Sequence, residues 1–220
     1  FAIVGYGRIG KRHAAMVQAN KSAQLVAVCD VVPQQVGVPF FDALAATLGA
    51  DLAIDVVNIC TPNGIHAVQA IEALDAQKHI VIEKPMALTR ADCEAVIFKA
   101  LNVSKHVFCV MQNRYSPPSV WLKQMLTEQR LGDIYLVEIN CYWNRDERYY
   151  GQGAKKHSWK GVKALDGGVL FTQFAHFIDI MYWLFGDIKN VQTKLHNFKH
   201  EGITNFEDSG TTQFEFVNGG

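Results

Sequence analysis

Behind the apolar run Phe1-Ala2-Ile3-Val4 the chain turns on Gly5-Tyr6-Gly7-Arg8-Ile9-Gly10 and continues with helical periodicity. Nothing else in the sequence restricts the fold as strongly. Three glycines at this spacing let a strand turn sharply into a helix, keep backbone open to a bound group, and let the helix pack closely on its sheet. The helix that follows offers unpaired N–H groups and a positive dipole end to an anion. The spacing alone is common; its register is what informs. A second run, Leu25-Val26-Ala27-Val28-Cys29, closes on Asp30, about twenty residues past the motif, where an acid meets the ribose of a dinucleotide. Asp30 accepts from ribose hydroxyls and repels a 2′-phosphate, and Val31-Val32-Pro33 supply no Arg or Lys to hold one. The expected cofactor is NAD.

Short β-branched runs then alternate with helical stretches: Phe1–Val4, Leu25–Cys29, Val56–Cys60, His79–Ile82 and Val107–Val110. That alternation predicts a parallel sheet with crossover helices, an N-terminal Rossmann domain over residues 1–113. Thr89 and Asp92 predict a capping box opening a helix through Leu101. One connection is short. Between Asp30 and the turn near Pro39 there is no room for a helical crossover, which takes a dozen or more residues. Residues are therefore expected to be missing there.

From residue 114 the character changes, and residues 114–220 are expected to form a C-terminal α+β domain with an open, largely antiparallel sheet. Ser116-Pro117-Pro118 predicts a helix start, with the helix running to about Leu131 before Gly132-Asp133. A strand is expected at Ile134–Trp143, a polar and aromatic segment from Asn144 to Gly168, a helix at Val169–Phe185, and strands near Val191–Phe198 and Thr211–Val217. The first residue is not Met and the chain opens inside a strand, so its true start is expected to lie further upstream; the last residues read as a strand entering a turn, so this domain is expected to be truncated.

Composition narrows the class. Lys and Arg number 21 against 21 Asp and Glu, with 49% hydrophobic and 19% charged residues. A neutral globular balance gives no steering toward nucleic acid or an anionic membrane, and no apolar run approaches a bilayer span. Cys29, Cys60, Cys93, Cys109 and Cys141 contain no C-x-x-C pair. They read as buried thiols in a reducing cytoplasm, with no metal site.

Two side chains carry candidate chemistry. Lys84, in Glu83-Lys84-Pro85, follows the strand His79–Ile82, at the sheet edge where the glycine turn also lies, and so would face the reactive end of the cofactor. On the Val169–Phe185 helix, Leu170, Phe174, Phe177, Ile178, Met181 and Leu184 form an apolar stripe. Thr172, Gln173, His176 and Asp179 form a polar row beside it. His176 suits proton acceptance from an alcohol. A histidine satisfied within the core reads equally well from the residues alone. Gly167-Gly168 before the helix would let a ligand approach closely.

Taken together, Gly5-x-Gly7-x-x-Gly10, Thr61-Pro62-Asn63 with His66, Glu83-Lys84-Pro85, and Gly167-Gly168 leading to His176-Phe177-Ile178-Asp179 resemble the Gfo/Idh/MocA oxidoreductases across essentially the whole chain. The resemblance implies a Rossmann domain followed by a C-terminal domain whose open sheet pairs subunits into a homo-oligomer, a dimer or tetramer. It implies a catalytic pair, Lys84 and His176, and a Lys84–Pro85 bond that is often cis. It also implies cofactor contacts from Gly5, Tyr6, Gly7, Arg8, Ile9, Gly10, Asp30, Thr61, Pro62, Asn63, His66, Glu83, Lys84 and Gln112. Some inositol and sugar dehydrogenases of the family carry Asp where Thr172 stands, which counts against a simple inositol dehydrogenase.

Gln112-Asn113-Arg114-Tyr115, Asn144-Arg145-Asp146-Glu147-Arg148-Tyr149-Tyr150 and Trp159-Lys160-Gly161 look like the sugar-nucleotide members, which oxidise C3 of a UDP-N-acetyl-hexosaminuronate. Arginine suits a carboxylate or diphosphate, and aromatic rings suit sugar or uracil faces. The expected substrate contacts are Lys84, Arg114, Tyr115, Asn144, Arg145, Trp159, Thr172, Gln173 and His176, on a sugar or sugar-nucleotide. A dehydrogenase or ketoreductase of a free sugar or cyclitol is the second reading, and a non-catalytic NAD-binding regulator the third.

Overall fold

The computed structural model describes residues 1–150 and 158–218, so part of the Asn144–Gly168 segment (151–157) and the last two residues lie outside the described residues. The chain divides into two compact units, Phe1–Val110 and Met111–Gly220.

The first unit is one parallel sheet of six strands. They are β1 (Ala2–Val4), β2 (Ala27–Cys29), β3 (Phe40–Phe41), β4 (Val56–Ile59), β5 (His79–Ile82) and β6 (Val107–Cys109), in the spatial order β3-β2-β1-β4-β5-β6. This is the doubly wound order in which the chain reverses direction at the first strand and opens a crevice at the strand ends. The strands read as continuous apolar runs because both faces are covered: Ile3, Val57, Ile59, Ile80 and Ile82 are fully buried. Helices α1 (Arg8–Ala19), α2 (Leu44–Gly49), α3 (His66–Asp75) and α4 (Arg90–Asn102) make the crossovers. The capping box forms: the Thr89 hydroxyl oxygen accepts from the Asp92 N–H at 3.1 Å.

The short connection between Asp30 and Pro39 contains no helix. It runs as an irregular loop, and Val28 and Asp30 donate to the carbonyls of Pro39 and Phe41, at 3.0 and 3.1 Å.

The second unit departs further from expectation. Helix α5 (Pro117–Thr127) starts behind Ser116 as expected but stops before Leu131, with Gln129 (φ 53°) and Gly132 (φ 66°) in left-handed backbone. The expected strand at Ile134–Trp143 does not form. Its residues are mostly apolar, yet no strand among the described residues pairs with it, and a ladder needs a neighbour for its N–H and C=O groups.

The expected helix over 169–185 is broken. After α6 (Lys163–Asp166) come α7 (Val169–Thr172) and α8 (Ala175–Phe185), and the axis bends by 46° between Lys163–Thr172 and α8. At the break the Phe174 N–H reaches back five residues to the Val169 carbonyl, and Phe177 then bonds only three back, to Phe174. A wide turn followed by a tight one bends a helix without a proline. The anticipated apolar stripe of α8 is half-buried in the described chain. Strands β7 (Ile188–His196) and β8 (Ser209–Phe216) pair antiparallel. No single helix among the described residues is long and apolar enough to cross a membrane.

Candidate active site

Backbone geometry builds the candidate residues of the first unit. Gly5 leaves β1 at φ 87°, and a Cβ there would lie 2.7–2.8 Å from the backbone of Cys60 and Thr61. At Gly10 a Cβ would sit 1.9 Å from the Gly5 carbonyl oxygen, so α1 approaches the turn as only glycine allows. Gly7 differs: nothing lies within 4 Å of its would-be Cβ. That open space borders the start of a twelve-residue helix with no side-chain cap and no acid in its first turn. Uncapped N–H groups beside an open glycine suit a pyrophosphate.

Asp30 fastens this turn. Its Oδ2 accepts from the Tyr6 N–H at 2.5 Å and its Oδ1 from the Val32 N–H at 2.8 Å. Each carboxylate oxygen has a second lone pair, which a ribose hydroxyl can use. The dinucleotide's two anchoring groups therefore have fitting partners in this chain. Arg8 and Ile9, also expected at the cofactor, are exposed on the first turn of α1.

Further along the same sheet edge, Thr61, Pro62 and Asn63 form the turn after β4. Thr61 donates from its hydroxyl to Gln69 Oε1 at 2.6 Å. His66, expected to touch the cofactor, is fully buried instead. Its Nδ1 lies 2.8 Å from the Pro85 carbonyl oxygen and its Nε2 2.9 Å from that of Thr61. Burial pulls this imidazole below its ordinary pKa, against the two carbonyls, which favour the charged ring. It joins two turns and has no face left for a ligand. Glu83 likewise points inward, to His13 at 3.0 Å, while Lys84 precedes a cis bond to Pro85 and is half-buried.

In the second unit, residues 112–115 form one turn of tight helix, and Gln112, expected at the cofactor, lies with Nε2 3.5 Å from His176 Nε2. An amide nitrogen donates, so this contact suits a ring nitrogen that accepts. Arg114 does not stand free for a substrate carboxylate. Its guanidinium grips Asp179 in a two-point fork, 2.8 and 2.5 Å. Tyr115 and Asn144 are exposed, and Trp159 is half-buried.

Arg145 is the most organised of the expected substrate residues. Its guanidinium carbon lies 4.3 Å from the Trp143 ring centre and 4.2 Å from that of Tyr149, and it donates to Gln173 Oε1 at 3.3 Å. Gln173, buried at the helix break, donates in turn to the Tyr149 hydroxyl at 3.0 Å. Burial pushes the phenols of Tyr149 and Tyr150 up, that of Tyr150 to about 12, so both stay neutral. Thr172 donates back to the Gly168 carbonyl at 3.0 Å. Gly168 is needed for its own backbone (φ 111°) and for Glu207, whose Oε1 would be 3.0 Å from an added Cβ; that close approach is to a side chain of this chain.

Sequence reasoning missed His13 and the buried His200–Asp208 pair, at 2.8 Å. No local motif flags either.

Residues 1–111 match the family model described as an oxidoreductase family with an NAD-binding Rossmann fold, and residues 120–220 match the GFO/IDH/MocA C-terminal domain. The chain belongs to the Gfo/Idh/MocA oxidoreductases. It is similar to the WlbA dehydrogenase from Chromobacterium violaceum, solved with NADH and UDP-GlcNAcA: 32% identity, TM-score 0.90, covering 100% of this chain and 64% of that one. WlbA from Bordetella pertussis, also solved with NADH and UDP-GlcNAcA, is 30% identical with TM-score 0.90, covering 100% and 68%. Among curated relatives, inositol 2-dehydrogenase of Salmonella typhimurium is 30% identical over 201 residues, 86% of this chain and 56% of that enzyme. The chain spans about half the length of the curated relatives it matches.

Proposed function

We propose that the protein carrying this chain is an NAD-dependent dehydrogenase that oxidises a sugar hydroxyl, with C3 of a UDP-N-acetyl-hexosaminuronate as the favoured substrate. The observation that carries the reading is in the first unit. A glycine turn fastened by Asp30 and a lysine after β5 share one edge of a parallel sheet, where crevice ligands bind. Bound NAD supplies the hydride acceptor. Lys84 donates a hydrogen bond to the reacting oxygen and stabilises its developing negative charge. His176 takes the hydroxyl proton on Nε2 as the carbon gives up its hydride.

The sugar-nucleotide preference is supported by Arg145, a guanidinium within cation–π distance of two rings and suited to an anionic group. The likeness to two WlbA structures points the same way. Inositol oxidation is favoured by the Salmonella relative, but Thr172, bonded back into its own helix, supplies no carboxylate beside His176. A regulator that only holds NAD would need neither Lys84 nor His176. Self-association through the β7–β8 sheet and a cytoplasmic setting complete the proposal; the exposure of β7 and five cysteines without disulfides support them.

NADH formation, followed at its own absorbance across UDP-sugars and free sugars, tests the reading. Lys84→Met is expected to leave NADH affinity nearly unchanged while turnover falls by about a hundredfold or more. Normal turnover in that variant would remove Lys84 from the chemistry.

A further inference from the structure

Lys84 is held from behind by a residue that no motif marks. His13 lies on α1, three positions past Gly10, and its side chain and that of Glu83 are each 14% exposed. Its Nδ1 is 3.1 Å from Asn58 Nδ2, on β4, and Asn58 is itself buried. An amide nitrogen donates, so Nδ1 is the acceptor in this contact and Nε2 carries the N–H that faces Glu83. That N–H donates to Glu83 Oε1 at 3.0 Å. The other carboxylate oxygen, Oε2, accepts from the main-chain N–H of Lys84 at 3.2 Å.

We propose that His13 is a positioning residue for Lys84. It fixes the direction of the Glu83 carboxylate, and through that carboxylate it sets where the lysine backbone sits and what charge its amine meets. The inference rests on the reading of Lys84 as the amine that stabilises the reacting oxygen. Three features of the first unit support it. Both Glu83 oxygens are engaged, one by the imidazole and one by the next residue's amide, so loss of the imidazole frees the carboxylate to rotate. The Glu83 charge also reaches neighbouring groups: it adds to the burial that chiefly raises the Cys60 thiol and opposes the burial that lowers His66, so its placement matters beyond one contact. Finally, the chain of bonds runs α1, β4, end of β5. One ring thereby keeps the helix that follows the glycine turn in register with the lysine, across a sequence separation of 70.

Asn58 from β4 bonds to His13, the Lys84 N–H bonds to Glu83, and Cys60 after β4 and His66 from α3 feel the Glu83 charge. Asn58 is turned to the far nitrogen of the imidazole and both nitrogens of His66 are taken by carbonyls, so neither is placed to stand in for the lost ring. Glutamine at position 13 keeps an N–H at nearly the reach of Nε2, whereas leucine keeps only bulk.

The test uses the full-length protein with lysine side chains labelled in nitrogen-15. The Lys84 amine resonance, assigned by its loss in Lys84→Met, is titrated without cofactor; turnover and NADH affinity are measured separately. His13→Leu is expected to move the Lys84 midpoint by about half a pH unit or more. It should also lower kcat about tenfold with KM for NAD within about threefold. His13→Gln should restore both. An unchanged Lys84 titration and unchanged kcat in His13→Leu, or a loss confined to thermal stability, would overturn the assignment. If His13→Leu does not fold, His13→Asn, whose amide is too short to reach Glu83, takes its place, with the same shifts expected and the same results overturning the assignment. A wild-type protein that oxidises no sugar or sugar-nucleotide would instead defeat the dehydrogenase reading, and the titration would still decide the brace.

Discussion

Single glycines show how differently one residue type can be used within six positions. Gly10 is required by packing: its Cβ would meet the Gly5 carbonyl at 1.9 Å, and that carbonyl belongs to a turn already wedged against Cys60. Gly7 is required by nothing in the chain, since its surroundings are open. Gly10→Ala is therefore expected to destabilise the protein by about 1–3 kcal/mol or more, as forced overpacking does. Gly7→Ala should melt with wild type yet lose NADH affinity about tenfold or more, because its methyl occupies the space a phosphate would enter. Calorimetry beside NADH titration separates the two. A Gly7→Ala variant that binds normally would mean the open space is not the phosphate site.

Elements divide by how local their causes are. His79–Ile82 forms within its expected bounds, and Thr89 caps as expected, because a doubly covered strand and a capping box are written in adjacent residues. Ile134–Trp143 is rich in strand-forming residues but lacks a pairing neighbour among the described residues, which no local pattern reports. The break at Gln173–Phe174 depends on one N–H reaching Val169, and Gln173 is fixed by Tyr149, 24 positions away. The candidate site follows the same rule. Gly5, Gly10, Asp30 and Lys84 are legible from motif and register; His13 with Glu83 and Arg114 with Asp179 are partners 70 and 65 residues apart, invisible until the chain folds.

The β7–β8 connection is another such case. Burial by itself would raise the Asp208 carboxyl, but N–H donors from Phe198 and Lys199, the Ser209 hydroxyl and His200 outweigh it and hold it well below the usual carboxylate range. A depressed folded pKa stabilises above the unfolded value, about 3.9, and that contribution is lost as pH falls toward the folded one. Asp208→Asn should thus lower the melting temperature at pH 7, and the gap from wild type should close as pH drops below about 4. A gap constant down to about pH 2.5 would show that the carboxylate charge is not what holds the loop.

Across the molecule, the two units bury apolar surface very differently. In the first, residues from nearly every strand and crossover helix are sealed, among them Ala2, Val28, Val57, Leu74, Ile80 and Val96 at 0% exposure. In the second, the buried apolar side chains among the described residues are Tyr150, Phe206 and Phe216, while Tyr135, Leu136 and Tyr142 stand more than four-fifths exposed. Local opening costs least where few apolar contacts must be broken, so protection from hydrogen exchange should follow this division. In these 220 residues, amides of β1, β4 and β5 are expected to exchange last, at a rate set by unfolding of the whole sheet. In the unassociated chain, amides of β7 and β8 should exchange several orders of magnitude faster, as the pairing of two exposed strands gives marginal stability at best. Equal protection in β4 and β7 would contradict the expectation, because it would require cohesion in the second unit that its buried side chains do not supply.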